Sequence, residues 1–461
     1  MKETVVQKNK ENTILSDKFD MFFNNRSENL EAIIDIKKHN LSGTLKNFIY
    51  PVSSWPVILE NETSNKLSEL SVILPELIYQ IPELYFDNDI SSIAHFYFNG
   101  NEELAQYAMM CHNKKIEVSC RLDLTLTDSG FKILEINAGS SIGGWQLDDF
   151  EGIVRESHDI LKNTQNDFKF TSIQSTYLNF LIDKTLQYVK EIKNEINVFV
   201  IVGNNAEIDS QGEKDIFFDN LLKQKLTERG MSGSVHIGKA SLLKMIRGDL
   251  YLNNKRIHSV LNMDYALKNI TPELFRAHIM GSVYFPDHLG TPILGDKRNL
   301  AILRELALSG KFDSKNNELI LNSIPWTVVI NNDKVTFKEQ EHNLLRLLKE
   351  QKDQFVIKIA NGCMGDSVFI GKFLSATEWE KAIEVSIGKE AYIAQEFSDS
   401  IDFIAPNISN QWTQHKLIWG SFGFGNTYGG VITRMVDVEI DDGIINSARG
   451  AVLGMVYECI D

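Results

Sequence analysis

Hydrophobic and polar residues alternate with a period of two from Val118 to Leu126, and this alternation predicts a β-strand. Leu122 and Leu124 lie on the apolar face of that strand, whereas Arg121 and Asp123 lie on the opposite face. The strand therefore has one face for the protein core and one face that carries charged groups.

A second strand is predicted directly after a turn at 128–130, where the sequence reads Asp-Ser-Gly. We expect Leu134 and Ile136 to face the core, which places Glu135 and Asn137 on the opposite face of this strand. The two strands together predict a hairpin that presents four polar side chains on one face.

These four side chains have the chemistry of a magnesium and phosphate site. Asp123, Glu135 and Asn137 offer hard oxygen ligands, which Mg²⁺ prefers. Arg121 beside them can bind phosphate oxygens. The alternative interpretation of this stretch is an ordinary half-exposed hairpin.

The length of the chain predicts two or three lobes, because 461 residues exceed what one hydrophobic core usually organises. Strands that alternate with helices after the hairpin indicate a small, open, parallel α/β lobe. The elements predicted there are helices over 150–192, 216–229 and 241–246 and strands over 196–203, 234–238 and 259–262. We expect four segments: a mostly helical N-terminal lobe (1–114), the hairpin with its following helices (115–195), the small α/β lobe (196–290) and a C-terminal part (291–461).

A lysine stands inside the apolar strand pattern of 354–359, and a glycine loop follows it. An ammonium group in a buried strand is costly unless it meets an anion, and the N–H groups of a glycine loop can bind phosphates. Lys358, with Gly362 and Gly365 in the loop, therefore predicts a nucleotide clamp. The glycine loop alone is more typical of a hairpin turn, and the sequence contains neither a Walker P-loop nor a GxGxxG motif between a strand and a helix.

Further cations are predicted near this clamp. Lys297 and Arg298 open a helix pattern, and the N-terminus of a helix with two cations can bind an anion. A solvated helix start is the alternative interpretation of this pair. A strand over 390–397 ends in polar residues, and a glycine-rich hairpin follows that delivers Arg434 near its end.

Composition and charge exclude some classes of protein. A net charge of −15 argues against general nucleic-acid binding, which needs a basic surface. The sequence has neither a run of about 18 apolar residues nor an apolar signal core, so we expect a cytoplasmic protein with no membrane partner. The four cysteines lack metal-binding spacing, which favours reduced thiols over a zinc site. The histidines, including His278 and His288, suggest no catalytic dyad and are interpreted as structural or surface residues.

In their order along the chain, these motifs resemble the ATP-grasp ligases, and specifically the circularly permuted arrangement of the glutathionylspermidine synthetase family. In ordinary ATP-grasp enzymes the lysine strand precedes the metal-binding element, whereas here the Arg121 to Asp123 motif comes more than 200 residues before Lys358. The resemblance runs from about residue 115 to the C-terminus and covers only the synthetase half of the family. It implies an α+β or α/β fold class: a circularly permuted ATP-grasp fold with a small parallel α/β lobe and a mostly helical N-terminal region.

The resemblance also implies two cofactors, ATP and Mg²⁺, with two metal ions bound. Asp123, Glu135 and Asn137 match the family's Mg²⁺ ligands. Arg121 matches the catalytic arginine that holds the substrate carboxylate and then the acyl phosphate. Arg434 is similar in position to a late arginine that contacts phosphate.

Nucleotide contacts and the acceptor side are implied in the same way. The residues that match nucleotide contacts are Lys297 and Lys358 on the phosphates, Gly362, Gly365, Asp366 and Ser367 in a flexible lid loop, and Gln395, Glu396 and Phe397 at the adenine edge. Ser140 and Ser141 follow the hairpin and would line the acceptor side of the acyl phosphate. A plain connecting loop is the alternative interpretation of these two serines.

The function that the resemblance implies is an ATP-dependent carboxylate-amine ligase. It would activate a small-molecule or peptide carboxylate as an acyl phosphate and capture it with an amine, releasing ADP and phosphate. A ligase that loads an amino acid onto a carrier protein or peptide is an alternative. A non-catalytic nucleotide-binding or peptide-binding protein with the same fold is the alternative from a different class.

Overall fold

The computed structural model of the chain describes residues 16, 18–27, 30–41, 45, 48–163, 167–202, 208–264, 267–331, 334–362, 367–388 and 391–460. Helices and strands are numbered below in chain order within these residues. The helices are α1 (Phe19–Asn24), α2 (Asn61–Tyr79), α3 (Ile81–Leu84), α4 (Ile90–Tyr97), α5 (Glu102–His112), α6 (Glu151–Ser157), α7 (Asp159–Asn163), α8 (Ile173–Tyr188), α9 (Ile208–Glu228), α10 (Pro272–Met280), α11 (Thr291–Leu294), α12 (Arg298–Leu308), α13 (Ser314–Ser323), α14 (Leu344–Glu350) and α15 (Ala376–Ser386).

Strands of the described chain form five separate sheets, so the fold is of mixed α and β class. The strands are β1 (Val57–Leu59), β2 (Ser119–Thr127), β3 (Gly130–Ala138), β4 (Phe168–Lys169), β5 (Glu195–Ile201), β6 (Ser232–Gly238), β7 (Leu243–Ile246), β8 (Asp249–Leu252), β9 (Lys255–Ile257), β10 (Ser259–Asn262), β11 (Thr327–Val329), β12 (Lys334–Phe337), β13 (Gln340–Asn343), β14 (Phe355–Ile359), β15 (Val368–Ile370), β16 (Tyr392–Glu396), β17 (Phe403–Pro406), β18 (Trp412–Phe424), β19 (Thr427–Asp437) and β20 (Val452–Cys459).

The largest sheet joins the two ends of the chain. Its strand order is β1-β20-β19-β18-β2-β3, with β17 also paired to β18 and β4 to β20. All of these pairings are antiparallel except that of β1 with β20. Because β1 comes from the first 114 residues, that mainly helical region contributes a strand to the same sheet as the C-terminal hairpin β18-β19.

A smaller parallel sheet has the strand order β10-β5-β6, as the alternation of strands and helices predicted. Six of the seven residues of β5 are buried, which explains the nearly continuous apolar run in its sequence. Helix α9 connects β5 to β6, and α10 follows β10. An antiparallel sheet of β7, β8 and β9 packs beside this lobe through the buried side chains of Leu243, Leu250 and Ile257.

The helix expected over 241–246 is wrong. Residues Leu243–Ile246 form β7, which pairs with β8 across a two-residue turn of Arg247 and Gly248. Both turn residues have positive φ angles, 53° and 94°, and turns of this kind match the twist of paired strands. Apolar spacing over so few residues is compatible with either a helix or a strand, so the turn decides the outcome.

A third sheet, antiparallel with the order β11-β16-β14-β15, has its own core around Phe355 and Trp379. Its strands lie against the edge of the largest sheet, because Lys358 of β14 donates a hydrogen bond to the carbonyl oxygen of Leu134 at 3.2 Å. Gln395 of β16 lies 3.5 Å from the carbonyl oxygen of Ile133. The third sheet and the β2-β3 hairpin therefore form the two walls of a cleft.

Helix α2 packs at close range against β18, a central strand of the largest sheet. The hydroxyl groups of Ser71 and Ser421 form a hydrogen bond of 2.6 Å. A Cβ atom at Gly423 would lie only 2.0 Å from the Ser71 carbonyl oxygen. Gly423 therefore allows the helix to approach β18. None of the described helices combines the length and the apolar character that crossing a membrane requires.

We expect Gly423→Ala to lower the free energy of unfolding by about 1–3 kcal/mol, because the new methyl group forces α2 away from the sheet. Urea unfolding followed by circular dichroism measures the change. Gly152→Ala is the matched control, since its Cβ would meet no atom within 4 Å, and it should raise stability slightly because alanine favours a helix. Equal stability of Gly423→Ala and the unmodified protein would contradict the close approach of α2.

Candidate active site

The predicted hairpin forms and brings its four polar residues together. Arg121 lies opposite Asn137, and Asp123 lies opposite Glu135, in the pairing of β2 with β3. The register shifts between Asp123 and Leu124, where a β-bulge interrupts the alternation. The hairpin thus presents two carboxylates, an amide and a guanidinium side by side.

The bulge corrects one expectation about the core. Leu134 was expected to be buried, but Ile133 takes that place with no exposed surface, and Leu134 lines the cleft instead. An extra residue in one strand reverses the face on which the following side chains lie. Ile136 is buried as predicted.

Asp123 is held between two arginines. The Nε and Nη2 atoms of Arg121 donate hydrogen bonds to its two carboxylate oxygens at 2.7 and 3.1 Å. Arg434 of β19 approaches from the neighbouring side, with Nη2 at 2.8 Å from Asp123 Oδ2. Burial by itself would raise the pKa of Asp123, but the two guanidinium groups hold that pKa below its usual range. Asp123 is therefore ionised at neutral pH.

Arg434 is within ion-pair distance of Asp123, yet its Nη2 atom is buried and not aligned for a hydrogen bond to any described residue. The Nδ2 atom of Asn137 is likewise buried without a hydrogen-bond partner among the described residues. Buried donors without acceptors are costly in a folded protein. Asn137 Nδ2 therefore has unused hydrogen-bonding capacity at the site, whereas Arg434 Nη2 is compensated by its ion pair with Asp123.

Glu135 meets the first of the predicted lysines. Lys297 places its ammonium 3.2 Å from Glu135 Oε2 and donates a hydrogen bond of 2.7 Å to the carbonyl oxygen of Gly362. Its backbone N–H also binds the Ala360 carbonyl oxygen at 3.1 Å. The Lys297 side chain is almost fully buried, so it is not part of a solvated helix start. Lys297 connects the hairpin to the end of the lysine strand.

Arg298 does not belong to this cluster. Its guanidinium forms a buried ion pair with Asp296 at 2.6 Å and lies 4.1 Å from the centre of the Phe96 ring. These contacts fix the start of α12 against the N-terminal helices. Of the two cations expected at this helix start, only Lys297 contacts the β2-β3 hairpin.

Lys358 is buried in β14, as its sequence context predicted. Its ammonium donates hydrogen bonds to Gln395 Oε1 at 2.8 Å and to the Leu134 carbonyl oxygen at 3.2 Å. Gln395 is oriented by its own donor, since Nε2 lies 3.1 Å from the Thr327 hydroxyl. Burial lowers the pKa of Lys358 to about 8, with Glu135 opposing and Lys297 reinforcing that shift. The ammonium has neutral partners and no carboxylate in direct contact among the described residues.

Seven of the sixteen residues implied by the resemblance line one cleft between the third sheet and the largest sheet. The shared lining residues are Asp123, Glu135, Lys358, Gln395, Glu396, Phe397 and Arg434. Ser367, with φ of 54°, accepts a hydrogen bond from the Ile359 N–H at 3.3 Å. Gly365 and Asp366, expected in the glycine loop, lie outside the described residues.

Seven polar residues of the cleft were not identified as site residues from the sequence: Thr125, Ser398, Asp399, Ser400, Lys416, Asp441 and Asn446. Lys416 forms ion pairs with Asp402 at 2.8 Å and Asp399 at 3.1 Å. The alternation of β2 places Thr125 on the same face as Asp123, and that signal could have found it. The other six reach the cleft through long-range packing and leave no pattern in the sequence.

Ser140 lies beyond the hairpin, where the Asp287 carboxylate accepts hydrogen bonds from both its N–H and its hydroxyl. Ser141 follows it and is partly exposed. The Ile142 carbonyl oxygen accepts a hydrogen bond from Arg121 Nη1. Residues 140–142 therefore lie next to Arg121 and extend the site beyond the end of β3.

A separate cluster of Cys111, His278 and His288 was not expected from the cysteine spacing. Their possible ligand atoms lie within 4.8 Å of one another, and all three residues are buried. However, the Gly290 N–H donates to His288 Nδ1 at 3.0 Å, so the proton of the neutral ring stands on Nε2. That nitrogen then offers no lone pair to a metal, and we assign no metal to the cluster.

Comparisons with known proteins give a fold. No protein-family model matches the sequence, and the search of curated proteins finds no match. Among solved structures, the chain is similar to a glutathione synthetase-like effector (GSS30) from Globodera pallida, with a TM-score of 0.54 and 12% identity over 89% of this chain and 90% of that chain. A protein assigned as a gamma-glutamylcysteine synthetase from Methylobacillus flagellatus KT gives a TM-score of 0.42 and 9% identity over 84% and 88% of the two chains. The first likeness shows a shared fold along nearly the whole chain.

We expect Lys358→Met to raise the free energy of unfolding relative to the unmodified protein, most strongly below pH 8. The pKa of Lys358 is about 8 in the folded protein and 10.5 in the unfolded chain. Between pH 8 and pH 10.5 the unfolded chain therefore keeps a proton on this lysine that the folded protein has released. The unmodified protein therefore gains stability as pH rises through that window, and its difference from the variant shrinks. Urea unfolding at several pH values between 7 and 10.5 measures this.

Lys349→Met is the control, because it makes the same substitution at an exposed lysine, on the neighbouring helix α14. If Lys358→Met differs from the unmodified protein by the same amount at every pH, the ammonium is not desolvated in the way described.

Proposed function

We propose that the protein is an ATP-dependent carboxylate-amine ligase that forms an amide through an acyl phosphate and releases ADP and phosphate. The observation that carries this proposal is the charge of the cluster where the β2-β3 hairpin meets β14, β19 and the start of α12. In a chain of net charge −15, four buried or nearly buried cations meet only two carboxylates in this cluster, while Glu396, Asp399 and Asp441 also line the wider cleft. The cations are Arg121, Lys297, Lys358 and Arg434, and the carboxylates are Asp123 and Glu135.

An excess of buried cations favours a ligand with several negative charges. Charges withdrawn from water are costly unless they are paired, and the two carboxylates cannot pair with all four cations. A nucleoside triphosphate offers phosphate oxygens of the kind that arginine and lysine bind. We infer that the cleft is built for the phosphates of ATP.

The residues present also fit Mg²⁺. Asp123, Glu135 and the side-chain oxygen of Asn137 are hard oxygen donors on one face of the hairpin. Asn137 Nδ2 has no hydrogen-bond partner among the described residues, so no protein contact at that atom fixes the amide. Bound there with ATP, Mg²⁺ would neutralise phosphate charge and so favour transfer of the γ-phosphoryl group to a carboxylate.

The side chains of the cleft then divide into two roles. Lys297 at the start of α12 and Lys358 in the third sheet would hold the nucleotide phosphates. Arg121 and Arg434 would exchange their contacts with Asp123 for phosphate and carboxylate oxygens, which leaves Asp123 to the metal. Arg121 would hold the substrate carboxylate and then the acyl phosphate, because its planar guanidinium can bind two oxygens at once.

The adenine end is proposed at the end of β16. Glu396 and Phe397 line the cleft beyond Gln395, whose side chain is occupied with Lys358 and Thr327. Ring contact would therefore come from Phe397 and from backbone groups rather than from the Gln395 amide. Ser140 and Ser141 are proposed to face the acceptor amine at the other end.

The arrangement is proposed to be a circularly permuted ATP-grasp fold. The metal-binding hairpin over 119–138 precedes the lysine strand over 355–359 in sequence, yet the two face each other across one cleft. The solved structure with a similar fold is described as glutathione synthetase-like, which agrees with a ligase. The free carboxylate and the amine are the substrate classes that this chemistry requires.

The test is ADP release from Mg²⁺-ATP by the purified protein, screened against a panel of carboxylates and a panel of amines. We expect release that depends on one carboxylate and one amine together. Asp123→Asn and Glu135→Gln should each lower turnover by about 10²-fold or more, because charge at the metal site is removed while side-chain size is kept.

Asp249→Asn is the matched control. Asp249 lies outside the cleft and forms an ion pair of 2.8 Å with Arg256. Stabilisation by Mg²⁺-ATP without ADP release for any substrate pair would favour the non-catalytic binder. Normal turnover in both site variants would show that the hairpin does not hold the metal.

A further inference from the structure

Asp287 is a half-buried carboxylate outside the cleft that joins two parts of the protein. Its Oδ1 atom accepts a hydrogen bond from the Ser140 N–H at 2.6 Å, and Oδ2 accepts from the Ser140 hydroxyl at 2.7 Å. Oδ2 also accepts from the Asn262 N–H at 2.7 Å. One carboxylate therefore binds the segment after β3 and the last residue of β10.

The backbone beside Asp287 has no room for a side chain. Gly139 has a φ of 103°, and a Cβ atom there would lie 2.6 Å from Asp287 Oδ1. The Gly139 carbonyl oxygen accepts a hydrogen bond from the Ser119 hydroxyl at 2.7 Å, and its N–H donates to the Ser119 carbonyl oxygen at 2.8 Å. Ser119 and Asp287 thus fix the start of the segment from two sides.

Asn262 marks the carboxyl end of the small parallel sheet, since β10 ends there. Open α/β sheets bind ligands outside the carboxyl ends of their strands. Asp287 therefore ties residues 139–144 to the edge of the small lobe that is suited to a ligand. The Asp287 carboxylate bridges that segment directly to this edge.

The same segment reaches the catalytic arginine of the proposed function. The Ile142 carbonyl oxygen accepts a hydrogen bond from Arg121 Nη1, and Arg121 in turn holds Asp123. A change at Asp287 would therefore move the acceptor side and alter the support of Arg121. No described lysine or arginine forms an ion pair with Asp287, so its interactions are directional hydrogen bonds.

We propose that Asp287 is a positioning residue of the acceptor side, which holds residues 139–144 so that Ser140, Ser141 and Arg121 face the reacting carboxylate and amine. This inference rests on the proposed ligase function. Asp287 does not touch the cleft itself, so it should leave nucleotide binding unchanged while it governs the use of the second substrates.

The variant Asp287→Asn tests the proposal, because an amide keeps the size but offers one oxygen and one NH₂ group. One of the two backbone N–H groups then loses its acceptor in either orientation. We expect kcat/KM for the carboxylate and the amine to fall about tenfold or more, while KM for ATP and the thermal shift with Mg²⁺-ATP stay unchanged. Hydrogen exchange should rise about tenfold or more at 140–144 and stay unchanged at 119–127.

Asp219→Asn is the matched control, since Asp219 Oδ1 accepts the Val235 N–H at 2.8 Å in the same lobe without touching the segment. If Asp287→Asn does not fold, Ser140→Ala removes only the hydroxyl contact and is tested by exchange at 141–144 alone. Unchanged exchange in the segment, or an equal loss of ATP binding and turnover, would overturn the proposal. If Mg²⁺-ATP fails to stabilise the unmodified protein, the ligase function fails, and exchange still decides whether Asp287 positions the segment.

Discussion

The ion pairs of Asp123 with Arg121 and Arg434 are the constraint on which the site depends. They join β2 to β19 within the largest sheet, so the C-terminal hairpin β18-β19 and the hairpin β2-β3 are fixed to each other. One carboxylate does not balance two guanidinium groups in a buried place, and Lys297 and Lys358 add to the excess on the opposite wall. The fold therefore keeps an excess of buried cations around the β2-β3 hairpin of an acidic protein, and that excess gives this part of the cleft its chemistry.

The two walls of the cleft come from distant parts of the sequence, yet they are connected by few contacts. Lys358 and Gln395 bind backbone oxygens of β3, and Lys297 joins Glu135 to Gly362. Hydrogen bonds to charged groups are stronger than neutral ones, so these few contacts can set the width of the cleft. A ligand that takes over the lysines would loosen the same contacts that now hold the walls together.

Much of the candidate site could be predicted from the sequence, because alternation fixes which side chains share a face. Arg121, Asp123, Glu135 and Asn137 followed from that pattern, and the cost of a buried lysine pointed to Lys358. The bulge that turned Leu134 toward the cleft did not follow, since it depends on how two strands pair. Asp287 left no signal at all, because its three hydrogen bonds join residues that are far apart in the chain. Arg298 matched Lys297 in pattern, but its ion pair with Asp296 and its contact with the Phe96 ring hold it away from the hairpin.

A crystal structure with Mg²⁺ and a non-hydrolysable ATP analogue tests the central claim most directly. The account predicts a metal ion within about 2.0–2.1 Å of oxygens of Asp123 and Glu135. It also predicts that the Arg434 guanidinium leaves Asp123 for a phosphate oxygen, and that Lys358 contacts the phosphates from β14. Nucleotide bound outside the cleft, or Asp123 still held by both arginines with no metal beside it, would contradict the account.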